Sequence, residues 1–290
     1  MTKRTRFQAV ATLLTNGYLK GFFTGSIFTG VSKNVCVPTL NCYSCPGALF
    51  ACPVGAVQVI LAGGGGLDIT ATQTFFEKVL SITSGVPFFV VGFLTLVGSF
   101  VGRATCGWIC PFGWFQDILY RIPAPKLSAP KKLNYLKFVL LITTVVLFPL
   151  LYVNQQGIHD PTYCKYVCPA GTLEGGVLLP LMNQDLRKSL GALYAWKVFM
   201  LFFFMVCMTA FRRPFCRWAC PLGAFLGLFN KVSYWKLELD SKRCVACEAC
   251  RKACPIALDV TEEIDGLDCI RCLECTHVCP KGIIQVSNLS

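Results

Sequence analysis

The chain has 290 residues, of which 54% are hydrophobic and only 14% are charged. A soluble protein carries about a quarter charged residues, so this composition predicts a membrane protein. The formal net charge of +12 fits membrane topology and contact with lipid, and nothing else in the sequence supports nucleic-acid binding. The chain has 19 cysteines but only 2 histidines, which disfavours a bis-histidine haem, and without a CxxCH motif there is no attachment site for a c-type haem.

Four apolar segments are long enough to cross a hydrocarbon core of about 30 Å. They lie near residues 8–31, 79–102, 134–153 and 192–211. A shorter apolar stretch at 47–61 predicts a re-entrant or interfacial helix, which is tolerated at membrane depth only where protein covers it. The predicted fold is therefore mainly α: a polytopic membrane helix bundle of about four transmembrane helices with re-entrant Cys-Pro-x-Gly loops.

The distribution of lysine and arginine predicts the orientation of this bundle. Basic residues concentrate before the first span, in the 103–132 loop and just after the fourth span, whereas the loops 32–78 and 154–191 carry fewer for their length. This pattern places both termini in the cytoplasm and the two poorer loops outside. The prediction is a multi-pass protein of a prokaryotic cytoplasmic membrane, with residues 1–235 as a transmembrane domain and residues 236–290 as a cytoplasmic domain.

A cysteine motif recurs at the predicted ends of the spans. Cys106-Gly-Trp-Ile-Cys110-Pro-Phe-Gly matches Cys216-Arg-Trp-Ala-Cys220-Pro-Leu-Gly, and a third copy holds Cys164 and Cys168. A partial copy begins at Cys52, with Cys36, Cys42 and Cys45 upstream of it. CxxxC on a helix places two thiols on one face, which suits metal ligation and, on the oxidising side of a membrane, also suits a disulfide.

The predicted topology sorts these cysteines by side. Cys106, Cys110, Cys216 and Cys220 would supply four thiolates for one iron–sulfur cluster at the inner boundary. Six cysteines fall on the outer side, enough for one more cluster with two left over. Our first choice of ligands there is Cys42, Cys45, Cys164 and Cys168, with Cys52 next, and Cys36 completes the set; a disulfide or a metal bound with a partner protein remains the alternative.

The last fifty residues contain one cysteine pattern twice. Cys244, Cys247, Cys250 and Cys254-Pro are followed by Cys269, Cys272, Cys275 and Cys279-Pro at the same spacing. This is the ligand pattern of a bacterial ferredoxin with two [4Fe–4S] clusters, in which the cysteine before proline binds the other cluster. The spacing assigns Cys279 to the first trio and Cys254 to the second. A zinc site or a disulfide framework, the alternatives, would show a different spacing.

With these motifs the chain resembles the NapH/NosR group of membrane ferredoxins over roughly residues 80–290. In that group two CxxxCP motifs flank transmembrane helices and a double ferredoxin follows; Cys106/Cys110 and Cys216/Cys220 match them. The resemblance implies electron transfer across or into the membrane, often linked to quinol and to extracytoplasmic reductases. The cysteines at 36–52 and the Cys164/Cys168 pair are additional to that pattern.

Three functional hypotheses follow. The first is an electron-transfer subunit of a membrane oxidoreductase complex, with two clusters in the ferredoxin domain and one or two more in the membrane domain, working between a soluble cytoplasmic donor and a membrane or extracytoplasmic acceptor. The second is a quinol dehydrogenase subunit that feeds a partner reductase; it needs a bound quinone and a proton acceptor, for which His159 and a few carboxylates are the candidates. The third is a structural or assembly subunit whose clusters only stabilise its fold.

Overall fold

The computed structural model describes residues 3–63, 87–151 and 160–288. The described chain is mainly helical with one two-stranded sheet. It divides into two compact units. The first unit comprises Met1–Thr12, Phe93–Lys137 and Met205–Ser290, and the second comprises Leu13–Gly92 and Phe138–Phe204. Compactness therefore groups residues 236–290 with segments from the rest of the chain, and the domain boundary at 235/236 stays a prediction.

Two helices in the described residues are long and apolar enough to cross a membrane, Lys131–Leu151 and Ala192–Ala210. Large apolar side chains on the second are exposed, including Phe199, Phe202 and Val206, as expected of a surface that faces lipid. These helices correspond to the predicted spans at 134–153 and 192–211, and they indicate association with a membrane. Residues 152 and 153, at the end of the predicted span 134–153, lie outside the described residues.

The predicted span at 8–31 is not one helix in the structure. A helix at Lys3–Thr15 is followed by a short one at Leu19–Thr24, which ends at Gly25 with a left-handed φ of 65°. The break has a physical cause, because the 15–18 backbone bonds to a neighbouring loop: Leu49 N–H donates to Thr15 O at 3.0 Å, and Tyr18 N–H donates to Gly47 O at 3.1 Å. The apolar pattern alone could not reveal these bonds.

The other two apolar predictions appear as shorter helices. The region predicted as a span at 79–102 has a helix at Phe88–Val101, and residues 79–86 lie outside the described residues. The stretch predicted at 47–61 becomes the helix Pro53–Gly63. Both are apolar but shorter than a full span.

Short helices in the first unit begin directly at the Cys-Pro motifs. Cys110 and Cys220 are N-cap residues in extended conformation, and the following prolines occupy the first helical turn. Proline suits that position because its ring fixes φ and no N–H is needed there. The helices flanking the two motifs are Ala104–Trp108, Pro111–Leu119, Pro214–Trp218 and Pro221–Leu228.

In the second unit the same device appears at Cys168, which precedes the short helix Pro169–Gly171. The remaining helical segments there are short turns, and two of them are π-helical. Their bounds are Val31–Asn34, Tyr163–Val167, Thr172–Gly176, Leu178–Met182 and Gln184–Lys188.

The ferredoxin region is closed by an antiparallel pair of strands. Strand β1 is Trp235–Leu239 and strand β2 is Ile284–Asn288, with Leu237 opposite Val286. Short helices lie between them at Ser241–Arg243, Ala249–Ala253, Val260–Glu263 and Glu274–Val278. Ile256 and Ile270 are buried in the small apolar core. The strands thus fasten the two ends of the cysteine-rich segment.

Candidate metal centres

The eight cysteines of the ferredoxin region line two small cavities. The first, of about 30 Å³, is bordered by Cys244, Cys247, Cys250 and Cys279. The second, of about 20 Å³, is bordered by Cys254, Cys269, Cys272 and Cys275. The fourth cysteine of each series is therefore grouped with the first three of the other, as the sequence pattern predicts.

The backbone around both cavities repeats an unusual conformation. Ala246 and Glu248, which flank Cys247, have left-handed φ values of 50° and 56°. Arg271 and Leu273, which flank Cys272, have φ values of 47° and 61°. Left-handed residues alternating with right-handed ones turn backbone N–H groups toward one concave side, and such nests are common at iron–sulfur sites. The cavities, thiols and nests together fit an anionic cluster.

A third group of thiols lies in the first unit. Cys106, Cys110, Cys216 and Cys220 are all buried. The thiol of Cys220 is close enough to the other three to interact with each of them electrostatically. Burial raises the pKa of Cys220 well above its ordinary value, and the neighbouring thiols raise it further. Two motifs remote in sequence thus meet at one four-thiol site.

Two buried arginines each donate a hydrogen bond from one motif to the backbone of the other. Arg103 stands three residues before Cys106 and donates to the carbonyl oxygen of Cys216. Arg213 stands three residues before Cys216 and donates to the carbonyl oxygen of Cys106 at 2.9 Å. The crossing is reciprocal, and it ties each motif to the backbone of the other at its first cysteine.

The motif glycines make room for these arginines. A Cβ atom on Gly223 would come within 2.5 Å of Arg103 Nη2, and one on Gly113 would lie 3.3 Å from Arg213 Nη1. The fourth position of the Cys-Pro-x-Gly motif is therefore small because a guanidinium from the other motif passes over it. The sequence reasoning missed both arginines, although RxxCxWxCPxG stands in both copies.

Carboxylates complete the arginine pairs. Asp117 accepts from Arg213 Nε at 2.7 Å and Nη2 at 2.5 Å, and Arg4 Nη1 lies 3.0 Å from the same carboxylate. Burial alone would raise the pKa of Asp117, but the two guanidinium groups hold it below its usual range. Asp268 pairs with Arg103 and Lys137 in the same way. The charges beside the four-thiol site are therefore compensated.

The second ferredoxin loop packs directly on the Cys106 motif. A Cβ atom on Gly107 would come within 2.4 Å of Ile270 O and 3.6 Å of the Cα atom of Cys272. Trp108 Nε1 donates to Arg271 O at 3.0 Å. One cavity of the ferredoxin region and the four-thiol site of the first unit are thus joined by close backbone contact.

A fourth group of thiols lies in the second unit. Cys42, Cys52, Cys164 and Cys168 are close enough that each interacts electrostatically with the other three. Burial raises the pKa of Cys52 to about 12. Gly171, three residues after Cys168, also lies close to Cys42, because a Cβ atom on this glycine would be 3.3 Å from Cys42 Sγ.

This grouping differs from our first choice of ligands for the outer set. Cys45 lies beside Cys42, but its Sγ is 3.5 Å from Asn16 Oδ1, where it forms a hydrogen bond. Cys36 is buried and forms an isolated β-bridge with Ala51. Cys52 thus lies with Cys42, Cys164 and Cys168, while Cys45 also interacts electrostatically with Cys42. Which four cysteines bind iron stays a prediction.

A buried carboxylate, Glu174, borders the thiols of the second unit. Its Oε2 accepts from the backbone N–H of Cys42 at 2.6 Å. Burial raises the pKa of Glu174 to about 7, and the bond from Cys42 N–H opposes that shift. Sequence reasoning did not single out this residue.

Other candidates have plainer surroundings. All 19 cysteines are free thiols, and Cys207 lies within the helix Ala192–Ala210. His159 lies outside the described residues, and the adjacent Asp160 is paired with Lys165 at 2.5 Å.

Among the described residues, no three His, Cys, Asp or Glu side chains converge on a single metal ion. Thiolates that bind a cuboidal cluster attach to separate irons and do not converge in that way.

The sequence comparisons agree with this arrangement. The 4Fe-4S binding domain family matches residues 83–130, 160–188 and 192–239, which are the segments that contain the three complete CxxxCP motifs. An uncharacterised protein of Methanocaldococcus jannaschii, MJ0750, is 31% identical over 188 residues, which cover 61% of this chain and 67% of that protein. The regulatory protein NosR of Stutzerimonas stutzeri is 25% identical over 52% of this chain and 20% of its own length. The chain belongs to the NapH/NosR-type family of 4Fe–4S proteins.

The family resemblance extends to a protein named for electron transport. YccM of Escherichia coli is 22% identical over 192 residues, 63% of this chain and 50% of YccM. The chain thus spans about half the length of that relative. No solved structure matches it. Family and motifs establish an iron–sulfur electron-transfer protein that carries [4Fe–4S] clusters.

Proposed function

We propose that the chain holds four [4Fe–4S] clusters and conducts electrons between a cytoplasmic donor and an acceptor in or beyond the membrane. The observation that supports this most strongly is the grouping of sixteen cysteines into four sets of four. The ferredoxin region supplies two sets. The others are Cys106, Cys110, Cys216 and Cys220 in the first unit, and Cys42, Cys52, Cys164 and Cys168 in the second.

A [4Fe–4S] cluster, when bound, accepts and releases one electron at a time over a range of potentials that its surroundings set. The residues of the chain fix where such transfer can happen. Gly107 and Trp108 hold the second ferredoxin loop against the four-thiol site of the first unit. Arg103 and Arg213 hold the two motifs of that site together. Exchange of electrons within the first unit is therefore favoured by proximity.

We propose a multi-pass topology with both termini in the cytoplasm. The two long apolar helices and the concentration of basic residues at 103–132 and after residue 211 support it. The segments containing Cys36–Cys52 and Cys164/Cys168 would then face outward. As an electron carrier with no substrate of its own shown, the chain would act as a subunit of a membrane redox complex.

Iron and acid-labile sulfide per chain, measured anaerobically, test the cluster count. We expect about sixteen irons for four [4Fe–4S] clusters. Replacing Cys216 or Cys52 by alanine should each remove about four irons, whereas Cys45→Ala and Cys207→Ala, the matched controls, should remove none. A Cys52→Ala protein that retains its full iron content, or a wild-type content of about eight, would contradict the assignment.

Vesicle experiments test the conduit. An electron acceptor trapped inside sealed vesicles should be reduced by a donor added outside when the wild-type chain is present. Cys168→Ala should abolish that transfer while the ferredoxin clusters remain reducible. Equal transfer by the wild type and Cys168→Ala would refute conduction through the second unit.

A further inference from the structure

A buried glutamine occupies the same place in two Cys-Pro motifs, one in each unit. The first unit has Cys110-Pro-Phe-Gly-Trp-Phe-Gln116, and the second unit has Cys52-Pro-Val-Gly-Ala-Val-Gln58. In each case the glutamine stands six residues after the cysteine that begins the motif. The CPxGxxQ pattern also occurs at Cys279–Gln285 in the ferredoxin region, but Gln285 is exposed on strand β2, so only Gln58 and Gln116 are buried.

Each glutamine donates to a thiol of the opposing motif. Gln116 Nε2 lies 3.0 Å from Cys216 Sγ, and Gln58 Nε2 lies 3.2 Å from Cys164 Sγ. Cys216 and Cys164 are equivalent residues, because each is the first cysteine of a complete CxxxCP motif. The same bond therefore forms twice, from the same donor position to the same acceptor position.

The amide nitrogen of each glutamine has two acceptors, whereas Gln116 Oε1 has no hydrogen-bond partner among the described residues. Both glutamine side chains are fully buried. Each Nε2 also donates to the carbonyl four residues earlier, Val54 O at 3.3 Å and Phe112 O at 3.4 Å. Gln58 Oε1 accepts from Tyr163 N–H at 2.8 Å. An exchange of the amide nitrogen and oxygen would put oxygen against a carbonyl oxygen, so these contacts leave N–H facing sulfur.

The motif that begins at Cys220 has no amide six residues after its cysteine. Six residues after Cys220 stands Leu226, which is fully buried and has no polar side-chain group. A buried polar group is costly unless its hydrogen bonds are made.

Six residues after Cys168 stands Glu174, a carboxylate that accepts from the backbone N–H of Cys42 and has no donor for a sulfur. The amides of Gln58 and Gln116 differ from both alternatives because each places a donor against a cysteine sulfur.

We infer that Gln116 and Gln58 are positioning residues that raise the reduction potential of the two clusters held outside the ferredoxin region. Adding one electron to a cluster makes its sulfur ligands more negative, and an N–H···S hydrogen bond then stabilises the reduced form more than the oxidised form. Hydrogen bonds to the sulfurs are among the factors that set these potentials. The inference rests on the cluster ligation proposed above and adds to it how each site is adjusted.

The test is an EPR-monitored redox titration of Gln116→Met and Gln58→Met in the full-length purified protein. Methionine keeps an unbranched chain of similar length and removes the N–H donor. Leu226→Met is the matched control, because it changes the equivalent position without removing a donor. The signal of each cluster is identified beforehand as the one lost in Cys216→Ala or in Cys164→Ala.

We expect each glutamine variant to keep its iron and to lower the ratio of reduced to oxidised cluster about tenfold at fixed potential. For a one-electron couple this corresponds to a downward shift of about 59 mV. Leu226→Met should not shift. Unchanged potentials in both glutamine variants, or loss of the cluster iron, would overturn the inference and leave a merely structural role. If Cys216→Ala and Cys164→Ala lose no cluster, the proposed ligation itself fails, which is a separate result.

Discussion

Asp117 is predicted to be the most sensitive ionic residue near the four-thiol site of the first unit. Its carboxylate binds Arg213 through two hydrogen bonds and lies 3.0 Å from Arg4. Arg213 is almost fully buried, with 1% of its side chain exposed. In Asp117→Leu the guanidinium would be left buried without its counter-charge. Breaking a buried ion pair from one side costs about 3–5 kcal/mol, so we expect a loss of that size in the free energy of unfolding.

The double variant Asp117→Leu, Arg213→Met separates the charge from the packing. With both partners gone the buried Arg213 charge is removed and Arg4 keeps its ion pair with Glu274 at 3.1 Å, so most of the loss should be recovered. The carbonyl oxygen of Cys106 would still lack the bond from Arg213 Nη1, which leaves a residual cost of about 1–3 kcal/mol. The double variant should therefore be more stable than the single one.

The assay is denaturant-induced loss of the visible cluster absorbance in detergent, with iron content measured before each titration. Because the pKa of Asp117 is held below its usual range, its contribution is fully present above the ordinary carboxyl pKa and is lost as the pH falls through the depressed folded value. The wild type should weaken in that acid range more than the double variant does. A single variant within about 1 kcal/mol of wild type, or a double variant as unstable as the sum of two single ones, would refute the reasoning.

Three further predictions concern other parts of the chain. Gly107→Ala would place a Cβ atom 2.4 Å from the carbonyl oxygen of Ile270 in the second ferredoxin loop, so we expect the free energy of unfolding to fall by about 1–3 kcal/mol. We also expect slower reduction, by stopped flow, of the cluster proposed at the four-thiol site of the first unit. Gly191→Ala, the matched control, adds a Cβ atom in open space and should change neither the unfolding free energy nor the reduction rate. Removing iron with a chelator should unfold residues 236–290, seen as loss of amide protection in hydrogen exchange, because so short a segment needs its clusters; protection that survives would contradict this. Lys131→Ala removes an exposed ion pair with Glu263 and should leave the midpoint of denaturant-induced unfolding almost unchanged, because solvent screens exposed pairs; a clear fall in the midpoint would contradict this.

The sequence was most informative where the pattern is local. The ferredoxin trios wrap their sites through two-residue gaps, and the grouping of Cys279 with the first trio and Cys254 with the second agrees with the cavities in the structure. The approach of the Cys106 and Cys216 motifs was also predicted, because both follow apolar segments that end on the same side. The ligand role of each cysteine stays a prediction.

What the sequence could not show depends on contacts between distant residues. The hydrogen bond from Cys45 to Asn16 and the closeness of Cys42 to Gly171 are two such contacts. The break of the predicted first span comes from backbone bonds to the 47–49 loop. The arginines and glutamines were discoverable in principle, since their motifs repeat, but only the fold reveals which sulfur or carbonyl each one reaches.

The crossed arrangement of the motifs has a consequence for how the protein is made. Cys106 and Cys110 emerge from the ribosome long before Cys216 and Cys220, and Arg213, which fixes the first motif, is also made late. In the second unit Cys42 and Cys52 are likewise synthesised long before Cys164 and Cys168. Neither four-thiol site is complete until its later motif has been synthesised. Biogenesis of these centres is therefore expected to be largely post-translational, with paired thiols exposed to oxidation in the interval.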